Sequence, residues 1–409
     1  MSINNQQKPG YKHTPLGWLP EDWEAVKLKS ICSVNQGLQI PIEDRLKEQV
    51  DGAKVYITIQ YLNNGKDAEF IKAASKSVCC DEDDVLMTRT GNTGIVVTGV
   101  HGVFHNNFFK INYDKQRINK TYLIEYLNDH KTKHTILVKA GTSTIPDLNH
   151  KDFYSIYFPL PPLSEQRKIA AIFSTWDEAI TKTQQLIAQL QQRNKGLTQQ
   201  LLTGKKRLKE FEGDIDLHHL KEFITEVSEK NSNRLVERVL SVTNSRGFIN
   251  QAEQFDREVA SEDRSNYKIV RKGQFAYNPS RVNVGSLDLL RNFDEGILSP
   301  MYVVFETDHN RLLPAFLYYH LKSHWFYGHI PMYVQGSVRD SLSFDGLTAM
   351  KFFIPTVEEQ STIVQILDSA HDEVKLYEQK LAVLQQQKKG LMQKLLTGEV
   401  RVKIDNNQN

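Results

Sequence analysis

The residues best placed by type to do chemistry in this chain are few, and none completes a catalytic pattern. Asn278-Pro279-Ser280-Arg281 begins like the Asn/Asp-Pro-Pro-aromatic loop that holds an amino group for methyl transfer, but it lacks the second proline and the aromatic ring. No G-x-G-x-x-G cofactor loop accompanies it, and no G-x-x-x-x-G-K-S/T phosphate loop is present. His218 and His219 are adjacent, a spacing that points two imidazoles apart and does not suit zinc. Glu373-Val374-Lys375 has part of a nuclease pattern, but Val374 falls on an apolar helical seam, so its flanking charges read as a solvated face. The expectation is that the chain is not an enzyme and that it has no metal site.

What the sequence does carry is Arg, Asn, Gln, Ser and Thr in turn-like segments, the chemistry that hydrogen-bonds base edges and phosphates. In the first half these are Gln36, Gln60, Arg89, Thr90, Asn92, Thr93, Thr142, Ser143 and Thr144. In the second half they are Asn244, Arg246, Asn278, Ser280, Arg281, Asn283, Ser337 and Arg339. A plainer reading stands beside this one. Asn92 and Gly94 suit a β-turn, Asn278-Pro279 suits turn initiation, and Arg89 is equally suited to an acidic neighbour. Lys205-Lys206-Arg207 reads as phosphate-positioning or plain surface.

Composition sets the frame. The chain has 409 residues, 24% charged and 40% hydrophobic, with a net charge of +2. That balance is globular, and the charge is too small to mark a nucleic-acid binder, so any basic surface must be local or shared with a partner. The three cysteines, Cys32, Cys79 and Cys80, form no C-x-x-C pair and read as reduced thiols. No apolar leader opens the sequence and no apolar run reaches the ~18 residues of a membrane span, so a cytoplasmic protein is expected.

The elements that must position these residues are repeated. Leu163-Ser164-Glu165-Gln166 matches Val357-Glu358-Glu359-Gln360, Lys195-Gly196-Leu197 matches Lys389-Gly390-Leu391, and Leu201-Leu202-Thr203-Gly204 matches Leu395-Leu396-Thr397-Gly398, always at an offset of 194. Within each copy the apolar positions step by four and three, from Ile169 to Leu201 and from Ile363 to Leu395. That is a sustained heptad seam, broken at the equivalent positions Asn194 and Lys388. Each copy predicts one continuous helix of ~40 residues, ~60 Å long. Ser164 is expected as an N-cap, and Gly204 and Gly398 as C-terminal stops. Each seam finds its simplest partner in the other.

The segments between the helices mix short β-rich runs such as Val55-Tyr56-Ile57-Thr58-Ile59 and Met301-Tyr302-Val303-Val304-Phe305 with a helix or two, and both end in an apolar strand into proline. The expected fold is α+β: two globules alternating with two long helices that pair as an antiparallel intramolecular coiled coil, with pseudo-twofold character. The divisions are 11–160 for the first globule, 161–206 for the first helix, 207–356 for the second globule and 357–403 for the second helix. Two heads on one scaffold with divergent loops suit a split, asymmetric duplex target, and the helices would set the gap between half-sites.

The ordered motifs also carry a family resemblance. Gly17-Trp18-Leu19-Pro20-Glu21-Asp22-Trp23-Glu24, Leu86-Met87-Thr88-Arg89-Thr90-Gly91, Pro161-Pro162-Leu163-Ser164-Glu165-Gln166-Arg167-Lys168-Ile169-Ala170, Ala276-Tyr277-Asn278-Pro279-Ser280-Arg281 and both Leu-Leu-Thr-Gly ends resemble the specificity subunit of type I restriction-modification systems, HsdS. The resemblance implies two target recognition domains on double-stranded DNA. It implies two methyltransferase subunits that carry S-adenosylmethionine and methylate adenine, and motor-nuclease subunits that use ATP and Mg²⁺, with no cofactor on this chain and no membrane. For docking those partners the candidates are Glu165, Gln166, Arg167, Lys168, Glu359 and Gln360. Ser361-Thr362 replaces the basic pair in the second copy. First-turn acids are also favoured by the helix dipole alone. A coiled-coil adaptor with two protein-binding heads is the rival reading, and an enzyme with an unrecognised site is a third.

Overall fold

The computed structural model describes residues 8–65, 67–72, 74–141, 145–211, 216–251, 263–334 and 341–403. The chain divides into two compact units, residues 1–184 with 379–409, and residues 185–378. This division cuts both long helices, so each unit combines one globule with part of each helix.

Both units are built on the same antiparallel four-stranded sheet. In the first, the order is Cys32–Gln36, Phe108–Tyr113, Val85–Thr88 and Val96–Val97. In the second it is Ile224–Val227, Val303–Thr307, Phe275–Tyr277 and Leu287–Leu289. The registers correspond: Cys32 faces Tyr113, and Ile224 faces Thr307. A smaller antiparallel pair closes each globule, Glu24–Lys27 with Tyr157–Leu160 and Leu217–His219 with Lys351–Phe353. The first unit adds a second four-stranded sheet containing a parallel pairing of Val103 with Tyr56. Among the described residues no helix is long and apolar enough to cross a membrane.

The long helices run Leu163–Leu202 and Val357–Leu395. Their seam positions are buried or half-buried at every step, as the four-three spacing requires. In the first unit Lys388 Nζ lies 2.7 Å from Asp177 and 3.0 Å from Glu125. In the second unit the Asn194 amide donates to the carbonyl of Ala370 at 2.6 Å, and Arg193 pairs with Glu373 at 2.7 Å. In both units the partner's number falls as the residue's number rises, so the helices pair antiparallel. The two polar seam positions are therefore satisfied by different means, one by charge and one by a backbone carbonyl.

The helix ends are anchored by a repeated set of bonds. Gly204 and Gly398 are left-handed, at φ 68° and 67°. The N–H of Lys206 reaches Gln200 O and that of Val400 reaches Lys394 O, both at 3.2 Å. A side chain at residue 398 would strike Pro20, so glycine is needed there for space as well as for φ. At the other end the expected cap moves. The first helix begins at Leu163, so Ser164 lies inside the first turn, and the amides of Glu165 and Gln166 donate to Pro162 O instead.

The Glu-Gln pair that follows is internal in both copies, which corrects its assignment to partner docking. Glu165 is fully buried and accepts from Trp23 Nε1 at 2.9 Å and Arg401 Nε at 2.7 Å. Arg401 also grips Asp22, and this contact holds the Asp22 carboxyl below its ordinary range. Glu359 repeats the arrangement with Arg207, at 2.9 and 2.8 Å. Gln166 donates to the carbonyls of Arg117 and Pro161 and accepts from Asn119 N; Gln360 does the same with Arg311, Pro355 and Leu313. Glutamate thus bolts each helix start to the segment beyond the other helix's end, and glutamine bolts it to its own globule. Only Arg167 and Lys168 of the expected docking set are exposed.

Two stability predictions follow from these buried groups. Arg401→Met leaves a buried carboxylate without its cation and should cost about 3 kcal/mol in urea unfolding. Adding Glu165→Met should recover part of that loss, and additive losses would contradict the pairing. Burial among Phe316, Phe352 and neighbouring rings pushes the His320 imidazole down to about 3. The unfolded chain therefore binds a proton that the folded chain does not as pH falls below ~6.5, and stability is lost between there and about 3. The slope should approach about 1.4 kcal/mol per pH unit. His320→Phe should remove that contribution, measured as unfolding midpoint against pH.

Candidate nucleic-acid interface

In the first unit the strand Val85–Thr88 ends in a tight loop closed by its own side chains. The Thr88 hydroxyl accepts from Ile95 N at 2.9 Å, and Gly91 and Gly94 take positive φ. Arg89 turns inward: Nη2 donates to Asp147 at 2.8 Å and Nε to the carbonyl of Leu148 at 3.2 Å. Thr90 donates to the same Asp147 carboxylate. Thr93 is buried, with its hydroxyl on the carbonyls of Arg89 and Pro146. These three residues hold the loop against the 145–148 segment, so the groups expected to face DNA are engaged within the protein. The guanidinium is already paired, and the Thr93 hydroxyl is spent on backbone carbonyls.

The remaining first-unit candidates divide. Gln36 is half-buried on its strand opposite Phe109. Gln60 and Asn92 are exposed. A side chain at Gly91 would meet Ile59, the first residue of the Ile59–Asn64 helix. Thr142, Ser143 and Thr144 lie outside the described residues. The structure adds two carboxamide pairs that sequence reasoning missed. Asn106 donates to Gln39 at 3.0 Å, and Asn112 donates to Asn35 at 2.6 Å on adjacent strands. Period-two alternation could have marked Asn35 and Asn112 as outward residues, since they alternate with Val34 and Ile111.

In the second unit the structure brings two predicted groups together. The hairpin turn joining Leu240–Thr243 to Gly247–Asn250 carries Asn244 and Arg246, and the loop after Phe275–Tyr277 carries Ser280, Arg281 and Asn283. Asn244 packs directly on Gly285, where a side chain would meet its amide, and Gly247 packs on Asp288. All five polar side chains are exposed. Asn278 is not part of that surface. It is buried, and its Oδ1 accepts from Ser280 N at 3.1 Å while its amide meets Met301 Sδ at 3.4 Å. It holds the turn, the plainer of its two readings. Ser337 and Arg339 lie outside the described residues. Arg207 is tied to Glu359, which leaves Lys205 and Lys206 as the exposed members of that basic run.

The chemistry of the second-unit cluster is a pair of guanidiniums flanked by carboxamides and a hydroxyl on two loops that a rigid sheet holds together. Such groups donate to guanine edges, pair with adenine and contact phosphates. Among the described residues no group of three or more His, Cys, Asp and Glu side chains could hold a metal ion.

A family profile described as the type I restriction modification DNA specificity domain matches residues 20–192 and 280–386. The chain is similar to the type I restriction enzyme MjaVIII specificity subunit of Methanocaldococcus jannaschii, 26% identical over 94% of each chain. It is also similar to the putative MjaX specificity subunit of the same organism, 22% identical over 97% of this chain and 98% of that one. Among solved structures, the S subunit of the type I system from M. genitalium superposes with a TM-score of 0.53 at 15% identity, covering 91% of this chain and 96% of that one. A chain from a study titled for complex assembly and conformational transition of the type I R-M system gives 0.59 at 17% identity, covering 93% and 99%. The structural likenesses show the fold, and the profile shows the family. Two repeated α+β globules, antiparallel long helices and a matched profile place this chain in the type I restriction-modification DNA specificity family, as a specificity subunit and not a catalytic one.

Proposed function

We propose that each globule reads one half of a bipartite, asymmetric DNA target, and that partner subunits bound to the long helices act on that DNA. The observation that carries this reading is the second-unit surface of Asn244, Arg246, Ser280, Arg281 and Asn283. The first unit presents Gln60, Asn92 and the Asn35/Asn112 and Gln39/Asn106 pairs instead. The sheets correspond in order while the exposed side chains differ, which suits two unlike half-sites. The recognition domains are then 11–160 and 207–356, and 161–206 and 357–403 are spacer and docking helices.

In this reading two methyltransferase subunits supply S-adenosylmethionine and methylate adenine, and motor-nuclease subunits supply ATP and Mg²⁺ chemistry. This chain holds none of those cofactors, works in the cytoplasm, and contributes orientation and sequence choice. Phosphate contacts from Lys205 and Lys206 would make affinity fall with salt without altering sequence preference.

The test is selective loss of one half-site. Arg281→Ala with Asn283→Ala should relax preference at one half of the target by about 1–3 kcal/mol and leave the other half unchanged. Methylation mapping in cells carrying the variant measures this. Uniform weakening across both halves would show phosphate contact in place of base reading.

A further inference from the structure

The two exposed loops of the second unit are locked to one another from beneath. The strand Leu287–Leu289 is the edge of the central sheet, and its residues alternate between two faces. Leu287 and Leu289 join the core that holds Phe316 and Leu317. Ser286, Asp288, Leu290 and Asn292 turn the other way, toward the hairpin of Leu240–Thr243 and Gly247–Asn250. Leu290 packs with Leu240, Val242 and Phe248. Ser286 Oγ donates to Val242 O and Asn292 Nδ2 to Phe248 O, both at 3.0 Å.

Asp288 completes the lock. Its buried carboxylate lies against Gly247, so closely that a side chain at 247 would strike it. The exchange is mutual. Asn244, on the hairpin turn, lies against Gly285 of the other loop, where a side chain would strike its carboxamide. Both glycines also take positive φ, 62° at Gly247 and 89° at Gly285. Lys322, at the end of the Pro314–Leu321 helix, holds the strand from its free edge. Its Nζ donates to Leu287 O at 2.6 Å and lies 3.6 Å from Asp288 Oδ1.

The sheet itself does not require a charge at this position. Asp288 is paired with Ala276, and in the first unit the corresponding pair is Val97 with Leu86. Lys322 corresponds to Asn128 at the offset of 194. A buried carboxylate carries a desolvation cost that valine does not. What Asp288 supports in return is the turn carrying Asn244 and Arg246.

We propose that Asp288 is a positioning residue for reading by the second globule: it touches no DNA, and it fixes the turn that aims Asn244 and Arg246 relative to Ser280, Arg281 and Asn283. The inference rests on the DNA-reading surface proposed above. Groups that recognise a ligand by hydrogen bonds need placement to about 0.5 Å, so a turn released from its seat loses discrimination before it loses contact.

The experiment uses the assembled complex and a plasmid library in which each base of its target is varied singly, with adenine methylation as the readout. Asn244→Ala with Arg246→Ala first identifies the bases those side chains serve. Asp288→Val with Lys322→Asn imports the first unit's residues and leaves no charge unpaired. It should relax preference about tenfold at those same bases and leave the other half-site and the gap unchanged. Asp288→Asn keeps the bulk beneath Gly247 and should restore most of that preference. Placed on the Asn244→Ala, Arg246→Ala background, the Asp288→Val, Lys322→Asn change should relax nothing further, because its effect passes through those two side chains. Unchanged preference in an assembled complex, further relaxation on that background, or a loss with Asp288→Asn equal to that with valine would overturn the inference. If the valine variant does not assemble, Ser286→Ala removes one hydroxyl from the same seat and must relax the same bases; no relaxation there overturns it as well. If Asn244→Ala with Arg246→Ala itself leaves every preference unchanged, the reading surface proposed above fails, and the inference with it.

Discussion

The fold depends on a carboxylate that has no access to water. Glu165 sits in the first turn of one long helix, and without Arg401 and Trp23 its charge would be expensive to bury. Because its cation lies just beyond the end of the other helix, the bond can form only when the helices pair antiparallel and in register. Glu359 and Arg207 impose the same condition in the second unit. Replacing such a pair with apolar residues need not weaken a protein, so its value here is specificity of arrangement more than strength. The glutamines beside these acids tie each helix start to its own globule, so register and globule placement are set at one point in each unit.

Around that fixed frame, sequence is free to change where it faces solvent. The central sheets keep order and register between the units, and the small closing sheets do too. The loops do not. Arg89 is spent on Asp147, whereas Arg281 is exposed. The polar seam positions follow the same logic: Lys388 answers the acids Glu125 and Asp177, and Asn194 answers a carbonyl. Repetition keeps the groups that set register, and divergence alters the exposed side chains of the loops.

The helices were legible in the sequence because their period is local: a four-three step over ten seam positions has no other explanation. The glycine stops were legible for the same reason. The roles of Glu165, Gln166, Glu359 and Gln360 were not. A first-turn acid looks the same whether it faces water or a guanidinium, and Arg401 lies 236 residues away. For Arg89 the acidic neighbour was foreseen but not its identity, since Asp147 stands 58 residues on. In the second unit the choice of Asn244, Arg246, Arg281 and Asn283 placed four exposed side chains on adjoining loops, because turn composition marks loops well. Asn278 went to the turn itself, since buried amides are consumed by the nearest unpaired backbone group.

The central claim is that the two globules read separately on one register-locked frame. It is tested most directly by replacing residues 208–356 with the second globule of the MjaVIII relative and mapping adenine methylation by the assembled complex. The account predicts that one half of the recognised target changes while the other half and the gap between them stay fixed. A change in both halves, or in the gap alone, would contradict it.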